Sequence, residues 1–219
     1  MLFQHLGFSR TRVVAALFAV LFFSAPGFGG KHFVMPAAHS AKIYPAHDEH
    51  PTEGVTLALD PYDMADKASI FSIRYSDLGF LPIFVVITND GDQPVSLANA
   101  TSQLVTHDRT KISPATEDDI YRRIASPTAE VKTNPLPWPK KMKGTVSRDA
   151  QQEIQDSQFA ARAVEPHSSQ SGFMFFDVSG ISAPLAGANF YLTGVHDAKG
   201  NELMYFEVPL EKYLSAPAH

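Results

Sequence analysis

The sequence predicts a mainly β protein, an antiparallel β-sandwich with a helical insertion. About seven short stretches enriched in β-branched and aromatic residues are separated by turn-forming residues, which is the pattern of a sandwich. These stretches do not alternate with helices, as they would in an α/β fold with a parallel sheet. The candidate helices lie together in one insertion, about residues 113–165.

The strand candidates extend from residue 55 to residue 208. Residues 81–88 form the strongest one, because they are β-branched and apolar on both faces of a strand. Residues 89–92 follow with the sequence Asn-Asp-Gly-Asp, which is typical of a tight turn. The other candidates are residues 55–59, 71–75, 95–105, 173–178, 188–195 and 203–208.

Two helix candidates occupy the insertion. Thr116 is a good N-cap, and the three acidic residues after it favour the positive end of a helix dipole. Ser147 caps a second, polar helix over about residues 148–163. Between the helices, residues 126–143 contain four prolines and the single tryptophan, Trp138, which predicts an extended and irregular segment.

Composition excludes several classes of function. The chain of 219 residues carries 18 basic and 23 acidic residues, and its net charge of −5 argues against nucleic-acid binding. It has no cysteine, which excludes a disulfide scaffold, a cysteine-based zinc site and thiol catalysis. Neither a Gly-rich phosphate loop nor a His-Glu-x-x-His motif is present, and we predict no cofactor.

The first thirty residues predict a signal peptide or an N-terminal membrane anchor. Residues 1–12 contain Arg10 and Arg12 and no acid, and residues 13–23 are uninterruptedly apolar. Small residues follow, with glycine at 27, 29 and 30. This order is typical of a secretory leader, and eleven apolar residues fall short of the ~20 that span a bilayer. We therefore expect a periplasmic or secreted protein, with an uncleaved anchor as the alternative.

Residues 31–53 predict an extended tether between the leader and the domain. They contain Pro36, Pro45 and Pro51, four histidines and no apolar periodicity. The folded domain is expected to cover residues 54–214.

Two stretches resemble a known family. The first stretch is similar to a segment of bacterial extracytoplasmic immunoglobulin-like domains in which an apolar strand is followed by Asn, a polar turn and Pro-Val. It has the sequence Leu81-Pro-Ile-Phe-Val-Val-Ile-Thr-Asn-Asp-Gly-Asp-Gln-Pro-Val-Ser-Leu. The second stretch is similar to a segment of the same domains in which a polar loop and Gly precede an aromatic strand. It has the sequence Val164-Glu-Pro-His-Ser-Ser-Gln-Ser-Gly-Phe-Met-Phe-Phe-Asp-Val. The resemblance implies an immunoglobulin-like sandwich outside the cytoplasm, and it implies no particular reaction.

Two strand candidates are apolar on both faces, although a sandwich strand needs only one apolar face. Phe84 and Phe176 would then lie exposed unless something covers them. We expect part of residues 113–165 to pack over Phe84 or Phe176. The alternative is an open face that binds a partner, and Phe84, Phe176 and Trp138 are the candidate partner-binding residues.

His47 and His50 are the candidate metal ligands. They flank Asp48 and Glu49, and imidazole and carboxylate groups are ligands for zinc or copper. No catalytic set accompanies them, because Gly-x-Ser-x-Gly is absent and the other histidines are scattered.

The sequence thus favours an exported, non-catalytic module that acts through contacts with an envelope protein or another envelope component. Membrane contact is expected only through an uncleaved N-terminal segment. The alternative is a small extracytoplasmic copper- or zinc-binding protein that uses the N-terminal histidines.

The leader generates the first testable prediction. Protein purified from cells should lack roughly the first 25–40 residues, because the basic and apolar segments direct translocation and cleavage. Sequencing of the N-terminus measures this. An intact Met1 on a soluble cytoplasmic protein would contradict it.

Overall fold

The computed structural model describes residues 32–125 and 146–216. Most of its regular structure is antiparallel β-sheet, which confirms the mainly β prediction. The immunoglobulin-like arrangement of the strands stays a prediction. Within the described ranges, no helix is long and apolar enough to cross a bilayer. The elements are β1 (Ala46–His50), β2 (Val55–Pro61), β3 (Phe80–Asn89), β4 (Val95–Ser96), β5 (Thr101–Val105), β6 (Lys111–Ile112), α1 (Glu117–Ala125), α2 (Arg148–Ser157), β7 (Ala163–Val164), β8 (Ser168–Asp177), β9 (Asn189–Thr193), β10 (Phe206–Pro209) and α3 (Glu211–Leu214).

Two four-stranded antiparallel sheets form the sandwich. The central sheet has the order β1-β2-β3-β8, and the second sheet has the order β10-β9-β5-β6. The short strands β4 and β7 pair with each other beside them. The long middle strand β3 pairs along most or all of its length with both β2 and β8, so it organises the central sheet.

The central sheet is buried on both faces. All ten residues of β3 are buried. Ile83, Val85 and Ile87 belong to the core between the two sheets, which also contains Phe190 and Phe206 of the second sheet. The alternate side chains of β3, which include Phe84 and Val86, belong to a second core on the opposite face, which we call the outer core. A strand that is apolar on both faces is therefore explained by a three-layer arrangement.

The third layer covers Phe84, as we expected from the insertion. Phe84 is 1% exposed and shares its core with Ile120 of α1 and Ile154 of α2. The connection between β2 and β3 contributes further aromatic side chains to this layer. Phe176 instead faces the second sheet, where its ring lies edge-on to Phe190 with centroids 6.1 Å apart.

Local signals position the two helices of the insertion. The Thr116 hydroxyl accepts a hydrogen bond from the Asp119 N–H, and the Asp119 carboxylate accepts from the Thr116 N–H, which completes a capping box. Ser147 accepts from the Ala150 N–H at the start of α2, as predicted. α2 ends at Ser157, and Gln158 already has extended backbone angles.

A buried carboxylate joins α2 to the rest of the outer layer. Glu153 is 3% exposed, and its oxygens accept from the N–H groups of Ser72 (2.7 Å) and Ile73 (3.1 Å) and from the Ser72 hydroxyl. These donors satisfy a charge that would otherwise be costly to bury. α2 is thereby held against the connection between β2 and β3.

The predicted tether is wrong for the described part of residues 31–53. Ala46–His50 is a strand of the central sheet, paired residue by residue with β2. The preceding residues 32–45, which we call the arm, also pack on the domain, with Phe33 and Met35 against the outer core. The polar sequence of β1 concealed the strand, because Asp48 and Glu49 are stabilised by a hydrogen bond and an ion pair rather than by apolar burial.

Gly172 allows the chain after α2 to approach β8. The Phe159 N–H donates to the Phe173 carbonyl oxygen over 2.9 Å, which adds a backbone contact to the outer edge of β8. A Cβ atom at Gly172 would lie 2.5 Å from the Cα atom of Phe159 and 2.7 Å from its nitrogen. These neighbours are backbone atoms, so they cannot move aside as a flexible side chain could.

We expect Gly172→Ala to destabilise the protein by about 1–3 kcal/mol, the usual cost of forcing extra volume into a packed site. Chemical denaturation measures the loss. The neighbouring substitution Ser171→Ala is the control, with an expected change within about 0.5 kcal/mol. Equal stability of the two variants would show that the close approach at Gly172 is absent.

Candidate functional site

Three turns and the arm enclose a cleft at one end of the sandwich. The first turn joins β1 to β2, the second follows β3, and the third lies between β9 and β10. The cleft has a volume of about 580 Å³, which is within the range of ligand-binding clefts. Its lining consists of Lys42, residues 49–54, residues 90–95, Asp197 and Leu203.

Asn89 builds one wall of the cleft. It is fully buried at the end of β3, and its amide nitrogen donates to the carbonyl oxygens of Gln93 (2.8 Å) and Val164 (3.1 Å). Its side-chain oxygen accepts from the Gly91 N–H over 3.0 Å. One side chain therefore shapes the turn at residues 90–94 and joins it to β7.

The first two turns contact each other through their backbones. The Asp90 N–H donates to the Gly54 carbonyl oxygen over 2.7 Å. Gly54 has φ +69°, a conformation that other residues rarely adopt, and a Cβ atom there would lie 2.9 Å from the Gly91 nitrogen. The wall between the two turns is thus a close backbone contact rather than a layer of side chains.

Carboxylates dominate the charge of the cleft. The acidic lining residues are Glu49, Glu53, Asp90, Asp92 and Asp197. The Lys42 ammonium lies 2.7 Å from Glu49 and 3.1 Å from Asp90, and hydrogen bonds to these two carboxylates raise its pKa. Among the described residues of this lining, Lys42 and His50 are the only basic side chains. The cleft is accordingly suited to a positively charged ligand group.

Two of the other three carboxylates, Asp197 and Asp92, also have defined partners. Asp197 accepts from the Asn201 amide and from the N–H groups of Asn201 and Lys199, and these hydrogen bonds, led by the Asn201 side chain, lower its pKa. Asp92 is 90% exposed at the rim and lies 3.1 Å from the His167 ring nitrogen. The Glu53 carboxylate has no hydrogen-bond or ion-pair partner among the residues that the structure describes.

The structure does not bring His47 and His50 together as metal ligands. They are three residues apart on a regular strand, so their side chains point to opposite faces of the sheet. The His47 Nδ1 atom lies 2.6 Å from the Tyr44 carbonyl oxygen. Within residues 32–125 and 146–216, no group of three or more metal-ligating side chains is arranged to hold an ion.

His50 instead joins the two sheets. Its ring stacks on Phe206 with centroids 4.0 Å apart, and its Nε2 atom lies 3.3 Å from the Asp48 carboxylate. The same carboxylate oxygen accepts from the Glu207 N–H of β10 over 3.0 Å. The His50 Nδ1 atom is buried and has no hydrogen-bond partner in the described structure.

Two of the three candidate partner-binding residues, Phe84 and Phe176, are not exposed for contact. Phe84 is 1% exposed and Phe176 is 0% exposed, so neither ring can reach a partner in this fold. Each ring is instead used to pack one of the two cores, because the central sheet is covered on both sides. Trp138 lies outside the described residues.

Most of the cleft was not identified from the sequence. The Asn-Asp-Gly-Asp turn is evident in the sequence, but its neighbours in the cleft come from three other parts of the chain. Lys42 and residues 49–53 lie in the segment that the sequence predicts to be a tether. The signal that could have found them is the sequence Pro-Thr-Glu-Gly at residues 51–54, which has the composition of a hairpin turn.

Comparisons with known proteins give no family. No protein-family model and no curated protein matches the sequence. Among solved structures, the X-ray structure of Northeast Structural Genomics Consortium target SoR45 is 10% identical, with a TM-score of 0.30, covering 76% of this chain and 94% of that chain. A conserved hypothetical protein from Bacillus anthracis is 12% identical, with a TM-score of 0.28, covering 75% of this chain and 97% of that chain. Neither likeness indicates a function.

We expect Asn89→Asp to destabilise the protein by at least about 3 kcal/mol, because it removes two donated hydrogen bonds and buries a carboxylate beside two carbonyl oxygens. Thermal and chemical unfolding measure the loss. Gln93→Ala is the control, since only the backbone of that exposed residue takes part. If Asn89→Asp were as stable as the control, Asn89 would not hold the wall of the cleft.

Proposed function

We propose that the chain is an exported, non-catalytic binding module that acts by contacting a protein of the cell envelope through the cleft at the end of the sandwich. The N-terminal pattern of basic, apolar and small residues supports export. The resemblance to extracytoplasmic immunoglobulin-like domains supports a module of this kind.

The observation that carries the proposal is the cleft itself. Turns at the end of a sandwich are held in place by the sheets behind them, and such turns commonly carry binding residues. Here the sheet behind the cleft is buried on both faces, and Asn89 and Gly54 hold the turns together. The cleft therefore has a defined shape in the free protein, which lowers the entropy lost on binding.

The charge of the cleft indicates the chemistry of the partner. Among residues 32–125 and 146–216, the carboxylates of Glu53 and Asp92 have no lysine or arginine partner, whereas Lys42 already neutralises part of the charge of Glu49 and Asp90. A protein segment with exposed lysine or arginine side chains complements this surface. Contacts of this kind weaken with salt, so binding should be stronger at low ionic strength.

The experiment is crosslinking in native envelopes followed by capture of the protein and identification of what is attached. The double substitution Glu53→Lys/Asp92→Lys reverses two charges at the cleft. The control is Asp77→Lys/Asp156→Lys, which reverses two exposed carboxylates of the outer layer. Both variants are first compared with the parent protein by thermal unfolding.

We expect the cleft variant to lose a specific crosslinked partner at least tenfold relative to the control, because two attractive charges become repulsive. Equal capture by the parent protein and both variants would show that any partner binds elsewhere. Loss of capture in the control as well would show that the partner recognises the net negative charge of the protein rather than the cleft. Either result would overturn the proposal.

A further inference from the structure

We propose that Glu49 and Asp90 form a subsite for one lysine or arginine side chain of the partner, and that the Lys42 ammonium occupies this subsite in the free protein until the partner displaces it. This inference rests on the proposed function of the cleft. It adds which two carboxylates receive the cation of the partner, and it assigns Lys42 as a built-in competitor for them.

The Lys42 ammonium marks the position of the subsite. Its Nζ atom lies 2.7 Å from a carboxylate oxygen of Glu49 and 3.1 Å from one of Asp90. The two carboxylates come from different elements, since Glu49 belongs to β1 and Asp90 to the turn after β3. They converge on one point, where a single cation with N–H donors already satisfies both of them.

The backbone of the subsite is held by contacts that do not involve Lys42. Glu49 pairs with Thr56 of β2 in the central sheet. The Asp90 N–H donates to the Gly54 carbonyl oxygen over 2.7 Å. The two carboxylates therefore keep their places in the fold when the lysine side chain leaves, which lowers the cost of exchanging one cation for another.

Lys42 combines a fixed backbone with a flexible and hydrated side chain. The neighbouring Ala41 is fully buried, and its N–H donates to the Thr88 hydroxyl over 2.8 Å. The side chain of Lys42 is 44% exposed, and those of its two partners are 37% and 48% exposed. Ion pairs that are this exposed contribute little to stability, because water and salt screen them. An incoming cation can thus displace the ammonium, which moves into solvent on its four-carbon stem.

The subsite selects cations that donate hydrogen bonds. Two carboxylates accept from an ammonium group, and a planar guanidinium group reaches both with separate N–H donors. Among the described residues of the cleft lining, His50 is the only one with an aromatic ring, and that ring is stacked on Phe206. This part of the lining therefore offers no aromatic cage for a quaternary ammonium group. We expect trimethylated lysine, which has no N–H donor, to bind much more weakly than arginine.

The first test measures the binding of a tetra-arginine peptide with blocked ends to the purified protein by calorimetry at low ionic strength. Lys42→Gln removes the competitor and should bind the peptide at least about fivefold more tightly than the parent protein, because both carboxylates lose their internal partner. Lys42→Arg retains the positive charge and should bind with the affinity of the parent protein. Lys111→Gln is the matched control, since it removes one exposed positive charge from β6, and its affinity should stay within about twofold of the parent value.

Three results would overturn the inference. Equal affinities of Lys42→Gln and Lys111→Gln would show that Lys42 does not compete for the carboxylates. Equal binding of tetra-arginine and of a tetrapeptide of trimethyl-lysine would show that hydrogen-bond donors are not selected, and no binding by any variant would show that the subsite takes no such cation. The proposed function fails separately, when Glu53→Lys/Asp92→Lys retains the partner captured from envelopes.

A second measurement uses the unchanged protein and follows the displaced side chain. Only a free amine reacts with an acetylating reagent, and hydrogen bonds to Glu49 and Asp90 raise the pKa of Lys42 and keep it protonated. Saturating tetra-arginine, which has no reactive amine, should increase the acetylation rate of Lys42 at least about threefold, because the displaced group loses this stabilisation of its charged form. Lys111 is the internal control, and its rate should not change. An unchanged or lower rate at Lys42 would show that its ammonium stays between the carboxylates, which would overturn the inference.

Discussion

The pairing of β3 with a strand on each side is the constraint on which the rest of the fold depends. Because this strand is apolar on both faces, polarity alone does not set its register, as it would in a half-exposed strand. The size of its side chains and the hydrogen bonds at its end set the register of β3 instead. The Phe84 ring fits the outer core, and the branched side chains of Ile83 and Ile87 fit the core between the sheets. At the end of the strand, a slip would also remove Asn89 from its three partners.

Several features of the fold were predictable from short-range signals. β3 was evident from its run of β-branched residues, and α1 and α2 from the caps at Thr116 and Ser147. The need for a cover over Phe84 followed from simple burial energetics. These predictions succeeded because each depends on residues that are close together in the sequence, or on one free-energy term that outweighs the others.

Other features could not be predicted in the same way. β1 lacks apolar alternation because Asp48 and His50 are stabilised by contacts with β10, which is far away in the sequence. The proposed metal pair of His47 and His50 failed because a strand places residues three apart on opposite faces. The cleft combines four separate segments, and nothing local in any of them indicates that they meet. Long-range pairing was thus the missing information in each case.

The outer edges of the central sheet are each closed by a different device. At β8, the N–H groups of Ala115 and Phe159 bond to the carbonyl oxygens of Phe175 and Phe173. At β1, the Lys212 ammonium donates to the His47 carbonyl oxygen. In the second sheet, β10 has the Glu207 N–H bound by a side chain, and β6 is only two residues long. These contacts occupy some of the backbone groups at each edge, which hinders the addition of a strand from a second molecule. Edges of this kind lower the tendency of a protein to aggregate edge to edge at high concentration, a protection that matters for a chain without disulfides.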